Sequence, residues 1–402
     1  MKPKKNKILV FSFFRLFITG VSCTFVGPLI PIISRDLNVG LDYIGSALSL
    51  SVFGILITSL VTGNLIEVFG YKRIILLGSL LNIFGCLGLC FSYHYIIFLI
   101  AYFLLNVGAG IISFSVFSLV GNYHSGRKTG TLIKVVIGNS LAIIVSPLLV
   151  SATLYTGLNW RFFYICISIA QIILLAWLLL LKIPKSIKVK RDLRSLFSIN
   201  KKISSNPYFL LFCIIVFVHA ATMNTFFSWF TTYFSSLNID IKISSLFLAS
   251  YGLAAVTGML IKNKIVKHVK EKRVLLFSAI ISFAALTGVF FSSDLILKNI
   301  LIFLFGASIA GNFTITYSIG TDLHPGYTNF ASGFLMASAN LGVIIFQYLG
   351  GYFSEHFSKN SVIYIDILLL FVFFIFVLIL NVGKKFPGVS AVIRNNYRSV
   401  DN

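Results

Sequence analysis

The fold of this chain is decided by a short polar stretch that reads Gly63-Asn64-Leu65-Ile66-Glu67-Val68-Phe69-Gly70-Tyr71-Lys72-Arg73. It separates two apolar runs, each near the ~20 residues that cross a bilayer core. We expect its two glycines to allow a tight reversal of the chain. We expect Glu67 to pair with Lys72 or Arg73, or to accept hydrogen bonds from a helix amino terminus in the other half of the chain. The alternative is a solvated turn whose cations only set the topology.

The stretch returns two hundred residues later as Asn263-Lys264-Ile265-Val266-Lys267-His268-Val269-Lys270-Glu271-Lys272-Arg273. Lys72-Arg73 falls on Lys272-Arg273, and Leu37-Asn38 falls on Leu237-Asn238, without a gap. An offset kept through several loops indicates two copies of one unit. The second copy has lost both glycines and the acid, so the two stretches cannot do identical jobs.

The composition is that of a polytopic membrane protein. Of the 402 residues, 57% are hydrophobic and 11% are charged, whereas soluble proteins are roughly 25% charged. The apolar runs are continuous instead of alternating with period two, so they predict helices. We place twelve spans near residues 8–33, 43–66, 74–91, 96–119, 131–155, 162–183, 208–234, 243–261, 274–291, 300–319, 330–353 and 361–382.

The net charge of +22 reflects topology, and we do not expect nucleic-acid binding. Most lysines and arginines fall in alternate connecting segments, including a group of six around Lys267. The opposite side holds only Arg35, Arg161, Lys242, Lys298 and Lys359. By the positive-inside rule both termini are then cytoplasmic, and the basic segments contact anionic lipid.

No pattern of enzyme chemistry occurs in the sequence. The five cysteines lie within apolar runs and imply no disulfide framework. Cys86 and Cys90 share a helical face, but two small packing residues explain them better than a metal. There is no phosphate loop, zinc-ligand spacing or nucleophile elbow. We therefore expect no catalytic residue, no metal and no cofactor, and we do not expect an enzyme.

The 63–73 stretch resembles the signature cytoplasmic loop of the major facilitator superfamily, Gly-x-Leu-x-Asp-(Arg)-x-Gly-(Arg)-(Arg/Lys). Glu67 stands where the family has Asp, and Val68 replaces a frequent Arg. Residues 27–31 (Gly-Pro-Leu-Ile-Pro) and 331–342 are loosely similar to the fucose-permease-like branch. The resemblance implies that contacts of this loop hold the outward-open state and break as the two halves rock.

The resemblance also implies the fold class, an all-α membrane protein of 12 transmembrane helices arranged as two parallel six-helix repeats. The amino-terminal bundle is 1–183, a cytoplasmic linker is 184–206, and the carboxyl-terminal bundle with its basic tail is 207–402. Six crossings separate the copies, so both enter the membrane in the same direction.

Three features of the family are missing. Its fourth-span Arg falls on Leu104, and its fifth-span antiporter pattern survives only as Ser146-Pro147 after a distant Gly138. We also find no Asp or Glu within the predicted first, fourth, seventh and tenth spans. Asp366, in the twelfth span, is interpreted as structural. A proton relay of carboxylates is then absent, and either His219 supplies the titratable site or transport is uncoupled.

Two ionisable residues inside spans are the first candidates for the substrate path, because a charge in hydrocarbon costs several kcal/mol. Arg15 shares a helical stripe with Thr19 and suits an anionic group of a substrate; alternatively it snorkels to the cytoplasmic edge. His219 forms a stripe with Thr222, Phe226 and Trp229 that suits a sugar-like or drug-like ligand. The alternative is a histidine that hydrogen-bonds a neighbouring helix.

Further candidates are amide and hydroxyl side chains, which often serve only as links between helices. They are Asn106 and Ser113 in the fourth span, and Asn340 and Gln347 in the eleventh.

The sequence thus predicts a secondary active or facilitative transporter in the bacterial inner membrane, working by alternating access on a small solute. Uptake of a sugar-like metabolite, with symport of a coupling proton, is favoured because the antiporter pattern is broken. Efflux of amphiphilic drug-like compounds is one alternative, and a non-transporting receptor or scaffold on the same fold is another. The partners implied are the solute, the lipid bilayer and a coupling proton, and we expect a monomer.

Overall fold

A computed structural model describes residues 5–123, 128–183, 206–323 and 328–382. Twelve helical spans long and apolar enough to cross a membrane lie within these ranges, which contain no β-strand. Their helices are Lys5–Thr24 with Val26–Leu37 (span 1), Leu41–Phe69 (2), Tyr71–Cys90 (3), Tyr95–Tyr123 (4), Lys128–Tyr155 (5), Trp160–Leu180 (6), Pro207–Ser236 (7), Ile241–Ile265 (8), Glu271–Phe291 (9), Leu295–Ile309 with Asn312–Asp322 (10), Thr328–His356 (11) and Ser361–Val382 (12). The expected fold class is confirmed. Nearly all of the predicted linker and the basic tail lie outside the described residues.

The reversal between spans 2 and 3 depends on one glycine, not two. The helix of span 2 continues through Gly63 to Phe69, and span 3 begins at Tyr71. Gly70 alone separates them, with a φ of 82° that L-residues with side chains rarely adopt. The expectation that Gly63 forms part of the turn is wrong, because the helix Leu41–Phe69 runs through this residue.

The duplication seen in the sequence is repeated in three dimensions. Lys72 donates from Nζ to the carbonyls of Leu179 (2.7 Å) and Leu181 (3.0 Å), at the carboxyl end of span 6. Lys272 donates in the same way to the carbonyl of Leu380 in span 12, at 3.5 Å. Asn38 and Asn238, the same position in the two copies, are the non-glycine residues with positive φ in the described ranges, at 51° and 58°. The two copies therefore share details of turns and helix ends.

Spans 1 and 10 are each built from two helices. Span 1 is interrupted at Phe25, just before Pro28 and Pro31, although the Phe25 amide still donates to the Val21 carbonyl at 3.2 Å. Span 10 is interrupted at Ala310 and Gly311, and Gly311 has a φ of 77°.

Contacts between Cα atoms group the chain into two compact units. One unit consists of Met1–Lys190, Asn224–Leu253 and Val343–Asp366, and the other consists of Arg191–Met223, Ala254–Gly342 and Ile367–Asn402. The first unit thus holds the first six spans together with the parts of spans 7, 8, 11 and 12 that flank their connecting loops. Inside it, spans 3 and 4 touch backbone to backbone, because a Cβ added at Gly85 would overlap the Leu105 backbone nitrogen.

Candidate functional site

The first candidate, Arg15, lies inside the helix bundle. Its side chain is 1% exposed, and Nη1 donates to Oε1 of Gln171 in span 6. Gln171 donates onward to Oδ1 of Asn82 at 2.6 Å, and Asn82 donates to the Leu105 carbonyl at 2.9 Å. One polar chain therefore links spans 1, 6, 3 and 4. Because the guanidinium points between helices, the snorkelling alternative is wrong for this arginine.

Part of the Arg15 guanidinium is left without a hydrogen bond. Within the described ranges, its Nε and Nη2, the Oγ1 of Thr19 and the Oγ of Ser12 have no hydrogen-bond partner. Ser12, Arg15 and Thr19 lie three or four residues apart, so they share one helical face. A buried cation that lacks a carboxylate partner is costly, and on this face only hydroxyl groups accompany it.

His219 lies in apolar surroundings in the second unit. Its side chain is 2% exposed, and its ring lies 6.5 Å from that of Phe313 and 5.7 Å from that of Phe373. Neither ring nitrogen has a hydrogen-bond partner in the described part of the chain. The alternative in which this histidine bonds a neighbouring helix is therefore not observed. Thr222, its neighbour on the stripe, turns back to the Val218 carbonyl of its own helix, at 2.9 Å.

Trp229 and Gln347 are brought together in the first unit. The indole Nε1 of Trp229 donates to Oε1 of Gln347 at 3.0 Å. The amide nitrogen of Gln347 donates to Oγ of Ser228 at 2.8 Å and to the Asn224 carbonyl at 3.1 Å. This pair combines an aromatic face with a fixed amide, and both side chains are buried. His219 and Trp229 lie on the same helix, Pro207–Ser236, with Trp229 in the first unit and His219 in the second.

Asp366 is a residue that the sequence analysis set aside. Its side chain is 1% exposed, and Oδ1 has no hydrogen-bond partner among the described residues. It lines a small pocket together with Phe226, Phe230 and Tyr233 of span 7. The sequence did hold a signal for this residue, because Asp366 is a carboxylate placed well inside a predicted span, where carboxylates are rare. Asp36 and Asp322 also fall within the helices of spans 1 and 10, but at their ends.

The remaining amide and hydroxyl candidates form no contact between spans in the described part of the chain that points to a ligand site. Asn106 donates to the Tyr102 carbonyl of its own helix at 2.9 Å. Ser113 and Asn340 are half-buried, and Asn340 belongs to a different unit from Gln347.

Glu67 forms no ion pair with Lys72 or Arg73. Within the described ranges Arg161 forms an ion pair with Asp36, and His356 lies 3.9 Å from Asp42. Lys72 instead bonds the end of span 6, as described above. The expected pairing inside the 63–73 stretch is therefore wrong, and a role of Glu67 in gating stays a prediction.

A larger recess of about 580 Å³ lies in the first unit, where the loop between spans 1 and 2 meets residues of spans 7 and 11. Its charged lining residues are Arg35, Glu355 and Lys359. Glu355 accepts a hydrogen bond from the Leu41 amide at 2.7 Å, so it stabilises the amino terminus of span 2.

Arg161 and Asp36 join the carboxyl end of span 1 to the amino end of span 6. The guanidinium lies 2.9 Å from the Asp36 carboxylate and donates to the Ser92 carbonyl at 2.8 Å. Trp160 donates from Nε1 to the same carboxylate at 2.8 Å, and Asn159 caps the helix by accepting from the Arg161 amide. The Asn159-Trp160-Arg161 turn is thus a structural junction between spans 1 and 6.

Comparison with known proteins agrees with this architecture. Residues 12–334 match the Major Facilitator Superfamily. Among curated proteins, the chain is 22% identical to the Protein TsgA homolog of Buchnera aphidicola (94% of this chain, 96% of that protein). It is 23% identical to the Glucose/mannose transporter GlcP of Bacillus subtilis (85% and 87%).

Among solved structures, the nucleoside transporter NupG superposes with a TM-score of 0.76 over 92% of this chain and 98% of that one, at 14% identity. A variant of the E. coli Fucose:proton symporter FucP gives 0.62 over 92% and 97%, also at 14% identity. At such identity these likenesses establish the fold alone.

The chain has twelve spans in two copies, and several of these spans carry buried polar side chains. This architecture is that of an integral membrane protein of the transporter class. The chain belongs to the Major Facilitator Superfamily.

Proposed function

We propose that this protein moves a small, polar, sugar-like solute across a bacterial inner membrane by alternating access, with both termini cytoplasmic. The observation that carries the substrate class is the Trp229–Gln347 pair, since an aromatic face beside a fixed amide suits a hydroxyl-rich ring. The similarity to a glucose/mannose transporter over most of both chains supports the same class.

The test is exchange transport with the purified chain in liposomes. Vesicles loaded with unlabelled glucose, mannose, xylose, uridine, an organic anion or an amphiphilic dye are given a trace of the same labelled solute outside. We expect accumulation of label with at least one sugar or nucleoside, and a loss of ten-fold or more in Gln347→Leu. Asn381→Leu is the matched control, because its amide bonds the Lys272 carbonyl at 3.0 Å, at the end of span 12. Exchange of dye without exchange of any sugar or nucleoside would replace this proposal with efflux.

Efflux of amphiphilic compounds is the second candidate, and a specific feature favours it. Phe226, Phe230 and Tyr233 place aromatic faces beside Asp366 around a cavity of about 10 Å³, so a ligand binds there only after spans 7 and 12 move apart. Such a combination suits a cationic aromatic compound. The dye arm of the same experiment, repeated with Asp366→Asn, tests this function directly.

We also propose that transport is coupled to protons through His219. The ring is enclosed by two phenylalanines and has no hydrogen-bond partner in the described chain, so a proton gained there would change the local charge. Uptake is measured in vesicles after a pH jump. We expect the pH dependence to vanish in His219→Ala and to persist in His268→Ala, an exposed histidine beyond the end of span 8. An unchanged pH dependence in His219→Ala contradicts the relay.

A further inference from the structure

The interruption of span 10 is a place where the second copy departs from the first. Helix Leu295–Ile309 ends and helix Asn312–Asp322 begins, with Gly311 at a φ of 77° between them. The corresponding position in the first copy is Ile111, which lies inside the continuous helix Tyr95–Tyr123. A broken helix leaves carbonyl oxygens without their amide partners, and inside a membrane those oxygens need another donor.

Lys262 of span 8 supplies that donor. Its side chain is 8% exposed, and its Nζ donates to the carbonyls of Ser308 and Ala310 (2.7 Å for Ala310) and to Oδ1 of Asn312 at 2.6 Å. Three oxygen acceptors therefore use the three donors of one ammonium group.

The lysine and the interruption occur together in the sequence repeat. Position 262 corresponds to Thr62 in the first copy, whose hydroxyl donates to the Thr58 carbonyl of its own helix at 2.6 Å. The equivalent spans of the first copy, 2 and 4, thus have neither the long cation nor the interruption. The backbones are also unusually close at this level, because a Cβ added at Gly258 would overlap the Ala307 carbonyl oxygen.

Carbonyl and amide oxygens at the carboxyl end of a half-helix are the groups that bind monovalent cations in transporters, and the helix dipole adds negative potential there. We propose that the interruption of span 10 is a monovalent-cation site whose occupant is the ammonium group of Lys262. Removal of that amine exposes three oxygens to which a free Na⁺, ammonium or methylammonium ion binds. The native chain then needs no dissolved cation to keep the two helices of span 10 in place.

The experiment follows thermal unfolding of the purified full chain in sodium, ammonium, methylammonium and choline chloride at equal ionic strength. The variants are Lys262→Ala and Lys264→Ala, an exposed lysine on the same helix. We expect the wild type and Lys264→Ala to have the same Tm in all four salts. We expect Lys262→Ala to lose several degrees in choline, and to regain most of the loss in a saturable manner in at least one of the smaller cations.

A Tm of Lys262→Ala that is equal in choline and in the smaller cations overturns the proposal, whether or not the variant is destabilised. If this variant does not fold, amine acylation of the native chain replaces it. Lys262 should then react at least ten-fold more slowly than Lys264, and Asn312→Ala should raise only the Lys262 rate. Equal rates at Lys262 with and without the Asn312 side chain overturn the proposal. No solute takes part in either measurement, so the outcome is independent of what is transported.

Discussion

Gly63 and Gly70 permit a test in which backbone conformation and available space predict opposite results. A Cβ added at Gly70 meets no atom within 4 Å, whereas one added at Gly63 lies 3.6 Å from the Phe114 ring, an ordinary contact. Judged by space alone, Gly70→Ala should be the milder change. Gly70 has a φ of 82°, however, and Gly63 is in the middle of the helix Leu41–Phe69.

The expected magnitudes follow from these conformations. Gly70→Ala forces a side chain into a sparsely populated backbone region, which costs about 1–3 kcal/mol. Gly63→Ala removes conformational freedom from the unfolded chain and favours the helix, which stabilises by about 0.5–1 kcal/mol. The two variants should therefore differ by about 1.5–4 kcal/mol, with opposite signs relative to the wild type.

The assay is reversible unfolding of the detergent-solubilised protein, with the free energy of unfolding compared for the wild type and both variants. The double variant is the control, since its effect should be near the sum of the single effects if the two sites are independent. The reasoning is refuted if Gly70→Ala is as stable as Gly63→Ala, because the reversal would then not require positive φ at residue 70.

Three more substitutions test other contacts by the same measurement. Arg161→Ala removes the ion pair at 2.9 Å and the hydrogen bonds to the Ser92 carbonyl, and should lower the free energy of unfolding by about 2–3 kcal/mol. Arg35→Ala, at an exposed arginine, should change that free energy little. Equal effects of the two substitutions would contradict the role of Arg161 in joining spans 1 and 6. Lys72→Met removes two carbonyl contacts at a helix end and should lower the free energy of unfolding by about 1 kcal/mol. Lys272→Met should lower it less, because the Lys272 contact is 3.5 Å long. The reverse order would contradict the view that both lysines stabilise a helix end. Gly85→Ala places a methyl group against the backbone of span 4 and should cost about 1–3 kcal/mol by overpacking, and a neutral result would mean that the two spans separate easily.

The parts of this fold that could be predicted are those determined by the order of residue types along the sequence. Hydropathy located twelve spans, and the offset of two hundred residues aligned Lys72 with Lys272, whose contacts with helix-end carbonyls the structure then shows to be alike. Both signals depend only on which residue types follow one another.

Contacts between distant spans could not be predicted in this way. Lys262 was assigned to a cytoplasmic group because the predicted eighth span ended at residue 261, whereas the helix continues to Ile265. A lysine stem reaches back along its helix towards the amino terminus, so a residue near a helix end can place its charge inside. Lys298, assigned to an outer loop, similarly donates to the buried Val289 carbonyl at 2.6 Å.

Arg15 shows the same limit from the other direction. Its burial cost was recognised, but its acceptor, Gln171, is 156 residues away in the chain. Nothing in a single sequence pairs the two, and the interruption at Gly311 also lacks a proline that would have predicted it.

The chain from Arg15 through Gln171 and Asn82 to the Leu105 carbonyl has a mechanical consequence. It fastens four helices at one depth, each through a directional bond that breaks if its helix slides by more than a fraction of a turn. Spans 1, 3, 4 and 6 should therefore move as one rigid body during the transport cycle. The helix contacts that change as the solute passes are then expected at the edges of this group of four spans.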